Sequence, residues 1–156
     1  MITEESIGFY ESPIGWIEIR GTDTGISKVS FIEGTPKNAK MSPIVEECLD
    51  QMAEYFSGKR RVFQSFALLF RSTDFQRAVW DAVSEVGFGE TASYADIARF
   101  LAKDRAVQAV GNAVGANPLA IIVPCHRILP KGGGTGEYAW GRKKKEWLLM
   151  HEKHSL

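Results

Sequence analysis

Four consecutive residues, Pro124-Cys125-His126-Arg127, concentrate the reactive side chains of this sequence. A thiol attacks carbon as its thiolate, and an unperturbed pKa of roughly 8.5 leaves little thiolate at neutral pH. Neighbouring cations can lower that value, an imidazole can take the proton, and a carboxylate can orient the imidazole. His126 and Arg127 supply the cationic partners, and Glu137, Glu146 and Glu152 are the acidic candidates for orienting His126. Adjacent side chains often diverge, so this spacing fits a packed cysteine as well as a nucleophile. Lys131 to Gly136 forms a glycine-rich loop that would let backbone approach a planar ligand. It lacks the Lys-Ser/Thr ending of a phosphate loop, so nucleoside triphosphate binding is not supported.

The elements that must position this cluster divide at about residue 70. Tyr10 to Arg20 and Gly25 to Ile32 are short β-branched and aromatic stretches separated by turn residues, which predicts two or three antiparallel strands. Ile44, Val45, Cys48, Leu49, Met52, Tyr55 and Phe56 share one helical stripe closed by Gly58, and Cys48 reads as a small core residue within it. A further strand is expected near Phe66 to Phe70. The result is a small α/β unit over 1–70, an antiparallel sheet with a helix, carrying no evident chemistry.

From Thr73 the pattern turns helical, with a capping box at Thr73 to Gln76 and another capping signature at Ser93 to Asp96. Ile97, Ala98 and Leu101 supply the buried face of the second helix. Asp104 is expected to cap a third, with Val107, Val110, Gly111 and Val114 inward and Arg105, Gln108 and Asn112 outward; Asn117-Pro118 stops it. Two short helices joined tightly have the shape of a helix-turn-helix, whose second helix would face a groove. An ordinary helical hairpin with a polar face has the same pattern. Leu119 to Val123 reads as buried extended backbone leading into the Pro-Cys-His-Arg block. A final helix is expected from about Trp140 to Lys153, with the basic run Arg142 to Lys145 near its start serving solvent or phosphate.

Composition excludes several classes. Hydrophobic residues make up 44% and charged residues 24% of 156, as in a soluble globular protein. Formal charge is zero overall, but residues 1–70 hold seven basic against ten acidic side chains and residues 71–156 hold twelve against nine. A polyanion would therefore favour the second part. Two distant cysteines make neither a disulfide framework nor a zinc site, and no apolar run approaches a membrane span. A reducing, cytoplasmic setting and no membrane association are expected.

Asn117-Pro118, the Ile-Val-Pro-Cys-His-Arg-Ile block, the glycine-rich loop, Tyr138 and Glu146-Trp147-Leu148-Leu149 resemble the O6-alkylguanine-DNA alkyltransferase family. The resemblance runs back through Phe75 to Trp80, Gly89-Glu90-Thr91, Ser93-Tyr94 and Ile97-Ala98, and covers roughly residues 73–152. It implies a ribonuclease H-like α/β unit followed by a mostly α domain with a winged helix-turn-helix. It further implies repair of double-stranded DNA containing O6-alkylguanine by a single irreversible transfer of the alkyl group to Cys125, by a monomer. Under it His126 is the general base acting through a water, Glu152 orients the imidazole, and Asn117 braces the loop. Tyr94 lies beside the target phosphate, and Gln108, Arg105, Asn112 and Arg127 complete the DNA-binding and base-flipping set. Tyr138 walls the flipped base, and backbone groups near Cys125, Ile128 and Ala139 read the guanine edge.

Where this family carries an arginine that fills the space left by the flipped base, the sequence has Gln108, which implies weaker or more lesion-dependent flipping. The zinc-binding Cys/His set of some relatives is absent, and neither metal nor cofactor is expected. Two other classes remain in view. A DNA-binding damage sensor would bind without reacting, although such relatives lack the acceptor cysteine. A cysteine hydrolase would turn over.

Overall fold

The computed structural model describes residues 5–64 and 72–156 and divides the chain into two compact units. The first holds the N-terminal residues up to 71 together with residues 118–122, so one later segment crosses the division expected near residue 70. The second holds Ser72–Asn117 and Val123–Leu156.

In the first unit, strands β1 (Ser6–Ser12), β2 (Gly15–Gly21) and β3 (Ile26–Ile32) form an antiparallel sheet in that order. Alternation along β2 buries Ile17 and Ile19 and leaves Glu18 and Arg20 partly exposed, the period-two pattern of a sheet covered on one face. The cover is α1 (Pro43–Phe56), which opens with Ser42 accepting from the Val45 amide and a proline in the first turn. Val45, Cys48, Met52, Tyr55 and Phe56 make its buried stripe. Gly8 permits the close approach of strand and helix, since a Cβ there would lie 2.7 Å from Val45. The stretch expected as a strand at Phe66 to Phe70 lies outside the described residues.

Residues 118–122 pair with β3 only briefly: Val29 donates to the Pro118 carbonyl and the Ala120 amide donates to Val29, each at 2.9 Å. The chain then turns, with Ile121 at φ +71°. The extended run expected over Leu119 to Val123 is thus a single bridge followed by turns, and a β-branched residue with positive φ is strained there.

The second unit contains α2 (Asp74–Ser84), α3 (Tyr94–Phe100), α4 (Val107–Gly115) and α5 (Arg142–His154). Complete capping boxes start α2, through Thr73 and Gln76, and α3, through Ser93 and Asp96; each such N-cap is worth about 1 kcal/mol. Helix α3 ends in a Schellman arrangement, the Lys103 amide reaching the Ala98 carbonyl and the Ala102 amide that of Arg99, with Ala102 at φ +57°. This turn delivers α4, which Trp80 fixes by donating its indole N–H to the Ala113 carbonyl at 2.8 Å. Together α3 and α4 form the helix-turn-helix. The two-residue strands β4 (Ala92–Ser93) and β5 (Ile128–Leu129) pair in parallel and tie the segment after Cys125 to the start of α3.

Four local expectations are corrected. Asp104 does not cap α4, whose N-cap is Ala106 without a side-chain bond. Val107 is exposed, the buried face being Val110, Ala113 and Val114. Arg105 precedes the helix in an exposed turn instead of sharing its outer face with Gln108 and Asn112. The last helix begins at Arg142, two residues after the expected start, because Gly141 sits at φ +111°.

Candidate active site

The Cys125 backbone is set by two consecutive tight turns. Pro124, at φ −81° and ψ 60°, centres an inverse γ-turn closed by the Cys125 amide on the Val123 carbonyl at 2.7 Å. Cys125–Arg127 then forms one turn of 3-10 helix, in which successive side chains are about 120° apart, less than the 180° of a strand. His126 and Arg127 can therefore converge on one acceptor despite being adjacent.

That acceptor is Glu152 on α5, leaving Glu137 and Glu146 exposed. Glu152 Oε2 accepts from His126 Nε2 at 2.6 Å and from Arg127 Nη2 at 3.0 Å. Its Oε1 accepts from Arg127 Nε at 2.8 Å and from the Gly89 amide at 3.2 Å. Gly89 suits this contact because its φ is +76° and a Cβ would lie 2.8 Å from the Leu156 side chain. Burial opposes ionisation of Glu152, but hydrogen bonds and charge from His126 and Arg127 outweigh it and hold the carboxyl well below its usual range.

His126 is fully buried, and its pKa is lowered: burial is the largest cause, the hydrogen bond and charge of Glu152 oppose it, and repulsion from Arg127 and Lys145 adds to the lowering. A neutral ring that gives Nε2–H to Glu152 keeps a lone pair on Nδ1. That atom is buried and has no hydrogen-bond partner in the protein.

Cys125 is 4% exposed, and burial pushes its thiol up to about 12 against a hydrogen bond from Asn117 and the charge of Lys145. Burial thus favours the thiol over the thiolate, against the lowering that neighbouring cations could supply. Asn117 also donates to the Val123 carbonyl at 3.0 Å, which pins the γ-turn.

Arg127 requires correction as a DNA-contacting residue. It is 6% exposed, forks onto Glu152 and donates through Nη1 to the Val86 carbonyl at 2.8 Å, leaving its guanidinium facing inward. The basic run at the start of α5 is corrected in the same way at one position. Lys145 is fully buried and donates to the carbonyls of Ile128 at 2.7 Å and Glu137 at 3.0 Å, and burial lowers its pKa to about 8. Sequence reasoning missed Lys145 because a run of four cations reads as a solvated face. The available signal was its helical spacing from Leu148 and Glu152, three and seven residues on, which puts it on the buried face.

A cavity of 260 Å³ opens at Cys125, with Tyr94 and Gly111 on its lining from the helix-turn-helix and Tyr138, Ala139 and Trp140 from the loop before α5. Tyr138 meets Trp140 edge-on at 5.1 Å, and its hydroxyl oxygen is buried with no hydrogen-bond partner in the protein. Ile128 is absent from this lining, and its carbonyl is engaged by Lys145. A larger groove of 820 Å³ shares Tyr94, Gly111 and Glu137 with the cavity and carries Gln108 and Asn112 of α4; Arg105 lies outside its lining. Among the described residues no cluster of His, Cys, Asp and Glu could hold a metal ion, and no helix is long and apolar enough to cross a membrane.

A buried Cys–His–Glu constellation opening towards a helix-turn-helix defines a thiol-based protein acting at a nucleic-acid interface. Residues 7–70 match the ribonuclease-like domain of 6-O-methylguanine DNA methyltransferase, and residues 74–154 match its DNA binding domain. The chain belongs to the 6-O-methylguanine DNA methyltransferase family. It is 43% identical over 149 residues to a probable methylated-DNA–protein-cysteine methyltransferase of Acanthamoeba polyphaga mimivirus, covering 94% of this chain and 96% of the relative. The crystal structure of Mycobacterium tuberculosis O6-methylguanine methyltransferase superposes with a TM-score of 0.87 at 34% identity, over 98% of this chain and 95% of the other. The same organism's protein in complex with DNA gives 0.85 at 36% identity, over 94% and 92%.

Proposed function

We propose that this chain, as a monomer, repairs duplex DNA by transferring the alkyl group of O6-alkylguanine to Cys125, once per molecule. The observation that carries the reading is the buried thiol of Cys125 on the lining of a base-sized cavity, next in sequence to a buried imidazole whose Nδ1 has no hydrogen-bond partner in the protein. At 260 Å³ the cavity falls just below the range of drug-sized ligand sites, roughly 300–1,000 Å³. A single base suits it better than a nucleotide.

The duplex lies along the 820 Å³ groove with α4 as the reading helix, and the damaged nucleotide turns past Tyr94 into the cavity. Extrusion costs a few kcal/mol, less where alkylation has weakened pairing. Gln108 and Asn112 face the vacated stack. Glutamine adds no charge, so flipping depends more on the lesion than it would with arginine. Tyr138 covers the base.

His126 Nδ1 takes the thiol proton through an intervening water while Glu152 fixes the ring by its bond to Nε2. The sulfur attacks the alkyl carbon, the carbon–O6 bond breaks with its electron pair passing to guanine, and the proton taken by His126 returns through water to the departing base. The Lys145 charge favours the thiolate as it forms, since burial otherwise disfavours it. A thioether is inert, so the chain does not turn over.

Stoichiometry tests the reading. With a labelled O6-methylguanine duplex in excess, transfer is expected to stop at one methyl group per chain. Release of many product molecules per chain would indicate hydrolysis, and binding without transfer a damage sensor.

A further inference from the structure

The proposed base, His126, works only if its ring is neutral, yet it donates to a buried carboxylate at 2.6 Å. The charge of a carboxylate and its hydrogen bond to an imidazole both favour a second proton on the ring, in opposition to burial. The structure holds a feature that opposes this. Arg127 forks onto the same carboxylate, with Nε on Oε1 at 2.8 Å and Nη2 on Oε2 at 3.0 Å. The fork is fixed from behind by the bond from Nη1 to Val86 and by the Phe88 ring, 5.8 Å from the guanidinium carbon.

We propose, resting on the alkyl-transfer reading, that Arg127 is a positioning residue that neutralises Glu152 so that His126 stays an uncharged Nε2–H tautomer with Nδ1 open to accept the thiol proton. An imidazolium in this site would add a second cation beside Arg127, with the Lys145 ammonium of α5 also acting on it. The other ionisable groups around the network are Cys125 on the same turn and Tyr138 on the preceding loop, both neutral acids at physiological pH. Among the described residues Glu152 is the anion that pairs with His126, and its charge is shared with Arg127. The fork needs the planar guanidinium, and the balance needs its charge. These two demands can be separated by substitution.

The test compares Arg127→Gln, which keeps a hydrogen-bond donor to Glu152 and removes the charge, with Arg127→Lys, which keeps the charge and removes the fork. The first readout is the ¹⁵N shift of the His126 ring against pH in the protein without DNA. The second is the pH profile of single-turnover transfer to an O6-methylguanine duplex. The wild-type ring is expected to remain neutral from pH 6 to 9. Arg127→Gln is expected to carry an imidazolium at pH 7 and to move the acid limb of the rate profile up by about one pH unit or more. That is roughly a tenfold loss or greater at pH 6, recovered by raising the pH. Arg127→Lys is expected to titrate like the wild type.

A neutral ring in Arg127→Gln, or a rate reduced by one factor at every pH, would overturn the proposal and leave Arg127 a packing role. Should Arg127→Gln fail to fold, Arg127→Lys decides: a ring charged at pH 7 despite the retained cation overturns the proposal, and a neutral ring supports it. Because the ring is titrated without DNA, absence of transfer in the wild type would defeat the alkyl-transfer reading without deciding the protonation result.

Discussion

The two cysteines of this chain share their burial and their chemistry but not their surroundings. Cys48 lies in the stripe of α1 with Val45 and Met52, and Cys125 lies in the 3-10 turn at the cavity. Burial pushes both thiols up to about 12. Neither is a resting thiolate, so a lowered pKa does not mark the reactive one. Cys125 differs in having a hydrogen bond from Asn117, a buried cation at Lys145, His126 next in sequence with its Nδ1 unpartnered in the protein, and an open volume beside it. Cys48 has the added repulsion of Glu47. Under the proposed reading, reactivity comes from groups able to accept a proton when substrate arrives, and a thiol that is protonated at rest is spared reaction with small electrophiles.

The largest effect expected from disturbing this contrast is at Glu152. Glu152→Gln removes the anion that orients His126 and leaves Arg127 buried without its partner, so single-turnover transfer should fall by about 10²-fold or more. Measured rates within a few-fold of wild type would show that the orienting contact is dispensable, bringing Cys125 closer to Cys48 in kind.

Acid should separate the two units. All three histidines lie in the second unit. The folded pKa of His126 is depressed, so the unfolded chain takes up a proton as pH falls through about 6.5 and the folded chain does not. Glu152 is also depressed, and its contribution, present above about 4.5, is lost as pH falls further. Both signs agree: stability of the second unit falls with pH below about 6.5. Amide exchange should accelerate in α5 and α2 before α1 and the three-stranded sheet. Uniform acceleration would contradict the assignment.

Cys48→Ser should invert the usual expectation for a cysteine. It places a hydroxyl in an apolar stripe and should cost about 1–3 kcal/mol by denaturant unfolding, with transfer per folded chain unchanged. A loss of transfer matched by no loss of stability would give Cys48 a role it lacks in this account.

The smallest effect concerns Tyr138, whose hydroxyl is buried and unpartnered. Tyr138→Phe removes that cost and should leave stability equal or raised by up to about 1 kcal/mol, while transfer slows if the hydroxyl meets the base. A destabilised variant would mean that the hydroxyl already has a partner in solution.

Much of this contrast was legible in the sequence, for physical reasons that also explain what was not. The α1 stripe and both capping boxes follow from local periodicity and short-range hydrogen bonding, so their positions were readable. Cys48 was assigned to the core by the same periodicity. Arg127 and Lys145 were misread because charge predicts exposure, and only the tertiary fold shows which cation is paired indoors. The approach of His126 and Arg127 to one carboxylate depends on a 3-10 turn that the residue pattern after Val123 does not announce. The start of α4 was misplaced because the Schellman turn at Ala102 uses an alanine where glycine would have announced it.

The central claim, that Cys125 is an acceptor and Cys48 is not, is tested most directly by intact mass and peptide mapping after incubation with an O6-methylguanine duplex. The account predicts a gain of one methyl group, located on Cys125, absent in Cys125→Ser and never found on Cys48. No gain despite intact DNA binding, or a methyl group on Cys48, would contradict it.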